Sequence, residues 1–451
     1  MPKLTSFKAY DVRGRIPEEL NETLARDIGR AYAAFVKPRR VAVGYDIRLS
    51  SPGLAAALKA GLTESGVDVY DIGLWGTEGI YFATSAEGLD GGVMVTASHN
   101  PPDYNGMKFV REQSRPISAD TGLKEMRALI EAGAWPPPAP VAGSERALDV
   151  RARYVQHVLQ LVDRQRLRPL KIVVNAGNGG AGLIVDLLEP HLPFEFVKLQ
   201  HQPDGRFPHG VPNPMLQENR SATRDAVLGS GAQLGLAWDG DYDRCFFFDE
   251  QGQFIEGYYL VGLLAERFLA GEPGGRIVHD PRLTWNTIDI VRSHGGEPVL
   301  CKSGHAFIKQ KMREVDAVYG GEMSAHHYFR QFYYCDSGMI PWLLVAQAMS
   351  ESGQPLSALV GERMRRFPAS GEINLTLAGD AHTVLERVQA RYAREAQSVD
   401  FTDGLSIEYP TWRFNLRGSN TEPLVRLNVE SRGDAPLMRA KTEELLAFLR
   451  A

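Results

Sequence analysis

Short apolar runs recur along this chain, each ending in a polar loop and separated from the next by a stretch of helical periodicity. Arg40-Val41-Ala42-Val43-Gly44-Tyr45-Asp46 reads as a strand entering a loop, and Ser51 to Glu64 reads as a helix. Val67 to Ile72 is a second strand and another helix follows. Gly92-Val93-Met94-Val95 is then a buried strand that runs straight into Thr96-Ala97-Ser98-His99-Asn100-Pro101. Upstream, Phe7 to Arg15 predicts a short strand running into a glycine turn that carries Arg13 and Arg15, whose plainest alternative is an exposed basic turn, and Glu18 to Phe35 has helical periodicity. Alternating strands and helices in this order predict a doubly wound α/β sheet, in which ligands bind past the carboxyl ends of the strands.

The same order returns twice. Past the proline-rich stretch Pro136 to Pro140 and a helix from Leu148 to about Leu161, strands are predicted at Leu170 to Val174, near Phe194 to Lys198, and at Leu234 to Trp238. The third of these ends in Asp239-Gly240-Asp241-Tyr242-Asp243-Arg244. A further set, Arg276 to His279, Pro298 to Leu300 and Ala317 to Tyr319, ends in Gly320-Gly321-Glu322-Met323-Ser324-Ala325-His326. Three βαβ-type units therefore each close their third strand on a polar loop. The tail differs: after Phe367-Pro368-Ala369-Ser370-Gly371 come a strand, an amphipathic helix near His382 to Glu395, a β-rich segment from Leu405 to Glu430, and a closing helix from Met438. It predicts a smaller α+β domain.

Composition narrows the partners. The chain of 451 residues is long enough for several cores, and 50 basic against 55 acidic residues give no general attraction to nucleic acid or an anionic membrane. Cys245, Cys301 and Cys335 are odd in number and far apart, which fits a reducing compartment. Met1 to Tyr10 has no apolar signal core and no stretch approaches the roughly 18 apolar residues of a membrane span, so the expectation is a soluble cytoplasmic protein.

The loops carry the candidate chemistry. Ser98, just past a strand end, is placed as a nucleophile, a phosphate carrier or a helix cap, and Asn100-Pro101-Pro102 ahead of Asp103-Tyr104-Asn105-Gly106 predicts a turn. Asp239, Asp241 and Asp243 alternate, so their carboxylates can fall on one side of an extended loop. They form either an acidic surface turn or a ligand set for a divalent cation. A calcium loop is excluded because Arg244 stands where it needs glycine. Carboxylates this close repel unless a cation joins them, which favours magnesium. Arg417-Gly418-Ser419-Asn420-Thr421 offers a guanidinium, two hydroxyls and an amide, a set suited to a phosphate dianion or to an ordinary capped turn. Glu322, Ser324 and His326 suit vicinal hydroxyls. His305 and Lys108 could serve a substrate or simply be exposed. Together these residues ask for phosphoryl transfer on a phosphosugar.

These motifs resemble the α-D-phosphohexomutase superfamily, most closely its bacterial phosphomannomutase/phosphoglucomutase branch. The resemblance runs from Phe7-Lys8-Ala9-Tyr10-Asp11-Val12-Arg13-Gly14 to Arg417-Gly418-Ser419-Asn420-Thr421-Glu422-Pro423, almost the whole chain. It implies four domains around a deep cleft: a phosphoserine domain over 1–145, a metal-binding domain over 146–252, a sugar-binding domain over 253–366 and a phosphate-binding lid over 367–451. Carried over position by position, it makes Ser98 the phosphoserine and gives Asp239, Asp241 and Asp243, with the Ser98 phosphate, to magnesium. Arg13, His99, Lys108 and Arg244 become phosphoserine-side and proton-transfer groups, with His326 also in a catalytic role. The sugar would meet Glu322, Ser324, His326, Gly304, His305 and Tyr10, and the distal phosphate Arg417, Ser419, Asn420 and Thr421, with Arg426 beyond. Arg282 stands where many relatives carry a substrate-touching lysine, and the two cations are not interchangeable at a directed contact.

The implied reaction is reversible transfer between the 1- and 6-positions of mannose and glucose phosphates, with glucose or mannose 1,6-bisphosphate as activator. It would supply nucleotide-sugar and exopolysaccharide synthesis, and the complete site within one chain implies a monomer. A phosphoglucosamine mutase would more typically carry glutamine where Met323 stands. A serine phosphohydrolase would need no bisphosphate, and a sugar-phosphate sensor would not need Ser98 with a complete aspartate triad.

Overall fold

The structure, a computed structural model, describes residues 4–376, 381–418 and 424–450. The chain divides into two compact units, Met1–Phe254 with Tyr328–Gly353, and Ile255–His327 with Gln354–Ala451.

The first unit holds two sheets of one plan. In the first sheet Arg40–Tyr45 lies between Asp68–Leu74 and Gly91–Val95, all parallel, and Tyr104–Arg111 pairs antiparallel with Gly91–Val95. In the second, Lys171–Asn175 lies between the parallel strands Glu195–Leu199 and Leu234–Trp238, and Cys245–Phe248 pairs antiparallel with the latter. The third strand of each set is buried at every position, which is why it reads as a continuous apolar run. Each chain path reverses direction between its first and third strands, opening a crevice at their carboxyl ends. Ser98 lies just past Val95, and Asp239 directly follows Trp238. Helices Glu22–Val36 and Ser51–Glu64 close one face, backbone against backbone: a Cβ on Gly61 would meet the Arg26 carbonyl oxygen at 2.0 Å. Their side chains Ile28, Leu54 and Leu58 share a core with Val41, Val43 and Val93.

In the second unit Arg276–His279 lies between the parallel strands Glu297–Leu300 and Tyr319–Gly321, the same order again, so Asp280 and Glu322 emerge at its carboxyl end. The C-terminal sheet is antiparallel, in the order Ile373–Thr376, Leu424–Ser431, Trp412–Gly418, Leu405–Glu408 and Ser398–Asp400. Helices Ala381–Tyr392 and Ala435–Arg450 pack Val388, Leu445 and Leu449 onto Phe414 and Leu427. Glu430, fully buried on this sheet, accepts from the Tyr258 hydroxyl, from Thr284 N at 2.7 Å and from Arg413 Nη1 at 2.8 Å. Arg413 also donates to the carbonyls of Pro281 and Arg282. A buried carboxylate is tolerable only when paired and hydrogen-bonded in this way, so the loop carrying Arg282 is tied to the C-terminal sheet.

Several expectations change. The glycine turn at Gly14 is part of a strand, Val12–Arg15, which pairs antiparallel with Tyr104–Arg111, so Arg13 is buried and not an exposed turn cation. The expected turn at Asp103 to Gly106 leads at once into that long strand, whose polar Asn105 and Lys108 hid it. The first helix begins at Glu22, capped by the Asn21 side chain on Leu24 N, and not at Glu18. The helix expected from Leu148 spans Arg151–Leu159, the strand expected at Ala317 begins at Tyr319, and the closing helix begins at Ala435. Among the described residues no helix is long and apolar enough to cross a membrane.

Candidate active site

Ser98 stands in the left-handed region at φ +47°, a costly conformation for a residue with a side chain. The loop is held there by Arg48, a buried guanidinium that donates to the carbonyls of Ser98 (2.9 Å), Asn100 (2.6 Å), Pro101 (2.7 Å) and Tyr104 (2.9 Å). Asp46 in turn accepts from Arg48 N and Ser51 Oγ. Sequence reasoning missed Arg48, although it lies two residues past Asp46 in the loop after the central strand, where functional residues collect. Ser98 Oγ donates to Asp239 Oδ2 at 2.6 Å and lies 3.1 Å from His99 Nδ1. The two loops approach so closely that a Cβ on Gly240 would meet the Ser98 carbonyl oxygen at 2.5 Å, which excludes any larger residue there.

Around Ser98 the first unit gathers the sequence candidates. Arg244 donates to Asp239 Oδ2 through Nε (2.9 Å) and Nη2 (2.6 Å), and Nη2 also meets His99 Nδ1. Lys108 Nζ reaches Asp241 Oδ2 at 2.8 Å, Asp243 Oδ2 at 2.5 Å and the Thr77 hydroxyl at 3.0 Å. Arg13 pairs with Asp11 at 2.8 Å and donates to Asn100 Oδ1, and Tyr10, half-buried, lies within electrostatic reach of it. Neither Arg13 nor Lys108 is the solvated cation that composition alone would favour.

Burial sets the charges. It raises Asp239 to about 6 against the pull of Arg244, with Asp243 and Asp241 adding to the rise. Asp241 moves the other way: burial and Asp243 push it up, but Lys108 and Thr77 bring it below its ordinary value. Burial lowers Lys108, and Asp241 and Asp243 more than offset that, so it stays an ammonium. Burial first, then Arg244 and Arg13, keep His99 far below its usual pKa and therefore neutral. Carboxylate oxygens of Asp239, Asp241 and Asp243 lie within 4.8 Å of one another, and Asp241 Oδ1 is buried with no hydrogen-bond partner among the described residues. An orphaned buried oxygen beside two more hard carboxylates and a serine hydroxyl fits a small divalent cation.

The remaining candidates belong to the second unit. Glu322 Oε1 accepts from Gly304 N at 2.9 Å, and Oε2 lies 3.3 Å from His326 Nδ1. Ser324 Oγ lies 3.1 Å from Arg282 Nη2, which also meets Asp280 Oδ2 at 2.8 Å and Glu322 Oε1 at 3.3 Å. His305, buried, opens the helix His305–Val315 directly after Gly304. Arg417 lies 3.6 Å from Asp403 and 3.9 Å from Glu372, and Arg426 lies 3.5 Å from Glu372. Burial and then Arg282 pull the Arg417 guanidinium down. Ser419, Asn420 and Thr421 lie outside the described residues. Glu372 was invisible to sequence reasoning: nothing around Gly371-Glu372-Ile373 marks it.

Four profiles of one family match the chain in order: phosphoglucomutase/phosphomannomutase alpha/beta/alpha domain I over residues 4–135, domain II over 152–252, domain III over 256–367, and the C-terminal domain over 372–447. A protein of Xanthomonas campestris pv. campestris (strain B100) named phosphohexose mutases is 62% identical over 447 residues, 99% of each chain. A phosphomannomutase of Salmonella montevideo is 60% identical over 455 residues, covering both chains in full. The crystal structure of a phosphoglucomutase/phosphomannomutase family protein from Burkholderia thailandensis superposes with a TM-score of 0.89 at 34% identity, covering 100% of this chain and 98% of that one.

Proposed function

Because the chain belongs to the phosphoglucomutase/phosphomannomutase family of the α-D-phosphohexomutase superfamily, and is a mutase and so an isomerase, we propose that it moves a phosphoryl group reversibly between the 1- and 6-positions of mannose and glucose phosphates. The observation that carries this reading is the Ser98 hydroxyl, 2.6 Å from Asp239 at the edge of a buried three-carboxylate cluster. Ser98 is the carrier. Its phosphate passes to a free sugar hydroxyl to give a hexose 1,6-bisphosphate, the sugar turns, and the phosphate at the other position returns to Ser98. Arg13, His99, Lys108, Arg244 and His326 supply phosphoserine contacts and proton transfer.

A phosphoserine brings nearly two negative charges beside Asp239, and each unit-charge contact at about 4 Å costs about 4 kcal/mol at an effective dielectric of 20. Magnesium held by Asp239, Asp241, Asp243 and the Ser98 phosphate supplies the opposing charge when bound. Glu322 and Ser324 take the sugar's C3 and C4 hydroxyls, with Tyr10, Arg282, Gly304 and His305 as further substrate contacts. Arg417, Ser419, Asn420, Thr421 and Arg426 hold the distal phosphate. Nothing in Gly321 to His327 provides a separate reader for C2, which favours acceptance of both epimers, and Met323 favours this reading over a phosphoglucosamine mutase.

The domains are those set out above, 1–145, 146–252, 253–366 and 367–451. The enzyme acts as a cytoplasmic monomer on small phosphosugars, without nucleic-acid or membrane partners, in nucleotide-sugar and exopolysaccharide synthesis. Intact-mass analysis should find one phosphate on the wild type that Ser98→Ala lacks. Turnover of mannose 1-phosphate with catalytic glucose 1,6-bisphosphate should vanish in the same variant. Full activity in Ser98→Ala would end this reading, and phosphate release without isomerisation would replace it with a phosphohydrolase.

A further inference from the structure

Glu372 is the first residue past the linker Phe367 to Gly371, and it has no part in the chemistry described so far. Its side chain is only 6% exposed and three guanidiniums share it. Arg282 Nη1 lies 3.4 Å and Arg417 Nη2 3.9 Å from Oε2, and Arg426 Nη1 lies 3.5 Å from Oε1. In the same pocket Arg282 grips Asp280 at 2.8 Å. A carboxylate shared at such long distances neutralises its cations without meeting their fork geometry, and Arg417 Nε is left buried with no hydrogen-bond partner among the described residues. A phosphate dianion, with more charge and three acceptor oxygens, would satisfy the same donors better.

We propose that Glu372 is a positioning residue that stands in for the phosphate: it holds the arginine cluster while the site is empty and is displaced when phosphosugar binds. The inference rests on the reading of Arg417 and Arg426 as the distal phosphate site. Its backbone suits the part. Gly371, at φ +69°, has its carbonyl fixed by Ser370 Oγ (2.8 Å) and Asn428 Nδ2 (3.0 Å), so the side chain is the piece left to move. An internal competitor stabilises the empty state and weakens ground-state binding. It also gives the arginines a partner when the phosphate leaves, which matters in a cycle whose intermediate must turn. Because Arg282 touches Glu322 and Ser324 as well, displacing Glu372 also alters the surroundings of the sugar loop.

The test is Glu372→Gln, which keeps the shape and removes the competing charge. For glucose 1-phosphate, KM should fall by about tenfold with kcat nearly unchanged, because only the empty site loses its competing charge, so kcat/KM should rise by about the same factor. Calorimetric binding of glucose 1-phosphate to Ser98→Ala protein should tighten by about the same factor when Glu372→Gln is added. The unliganded variant should melt lower than wild type and recover more on adding the sugar phosphate. Glu372→Asp, which keeps the charge but draws it back, should shift KM in the same direction by about twofold, and serves if Glu372→Gln folds poorly. A KM or dissociation constant that rises, or does not move, in these variants would show that Glu372 merely props the arginines and would overturn the proposal. Arg417→Ala separates the two ideas: if it binds glucose 1-phosphate as the wild type does, the phosphate-site reading itself is lost and the role of Glu372 with it.

Discussion

The Ser98 site and the Glu372 site invert one another's charge plan. In the first, three carboxylates converge and cations fit between them at short range: Lys108 at 2.5 and 2.8 Å, Arg244 at 2.6 Å. In the second, three guanidiniums converge on one carboxylate at 3.4 to 3.9 Å. Short, multiply shared contacts fix atoms, which a reacting oxygen needs, because small misplacement at the point of transfer is costly. Long contacts hold charge without fixing atoms, which suits a ligand that must be held and then released. On the proposed reading, the close contacts serve chemistry at Ser98 and the long ones serve a phosphate that is gripped and then released.

The comparison breaks most readily at the rigid site. Asp241→Asn removes one member of the carboxylate set and one of the two carboxylate partners of Lys108, and should lower kcat by about 10³-fold while phosphosugar binding changes little. Chelation of the wild type should match it, with activity restored by magnesium in the wild type alone. Wild-type enzyme that keeps its turnover after chelation would remove the metal from the site. Arg48→Lys acts one layer further out. An ammonium cannot span four carbonyls as the planar fork does, so the Ser98 loop should relax and kcat fall by about 10²-fold at unchanged KM. Steady-state kinetics decide it, and turnover within about twofold of wild type would mean the loop keeps its shape without the fork.

The two sites also differ in how far the sequence disclosed them. Ser98, Asp239 and Glu322 could be found because each follows the third strand of a parallel set, and strands buried on both faces announce themselves as unbroken apolar runs. The strand Tyr104–Arg111 could not. Its Asn105 and Lys108 are buried by partners distant in the chain, Ser51 and Asp241 among them, and in sequence they look like a polar turn. Gly14 misled for the same reason, since only its pairing with Asn105 shows that it belongs to a strand. Arg48 and Glu372 are single charged residues whose tasks exist only once the carbonyls and guanidiniums they serve have been folded into place.

Glu78 offers the finest probe, because it asks whether the rigid site tolerates one more negative charge behind it. Its side chain is buried in the first turn of the helix Thr77–Ala86, next to Thr77, whose hydroxyl donates to Asp241 at 2.5 Å. The Tyr154 hydroxyl donates to Glu78 Oε1 at 2.6 Å. Burial pushes the carboxyl from 4.5 up to about 8, against hydrogen bonds from Ser337 and Tyr154, with Asp336 and Asp243 adding to the rise. At neutral pH it is therefore protonated, and the acidic cluster gains no further charge from it. The cost appears in stability. Below pH 4.5 Glu78 is protonated in both the folded and unfolded chains and its contribution is fully present. As pH rises towards about 8, the unfolded chain releases the proton and the folded one keeps it, so stability falls by up to about 1.4 kcal/mol per pH unit. Glu78→Gln is neutral throughout and still accepts from Tyr154. It should match the wild type near pH 4 and exceed it near pH 8 by about 2 to 4 kcal/mol, with turnover at neutral pH within about twofold. Urea denaturation of both proteins across that range measures the difference directly. Parallel stability curves would mean that Glu78 is already ionised in the folded protein, and that the site in front of it bears a fourth negative charge after all.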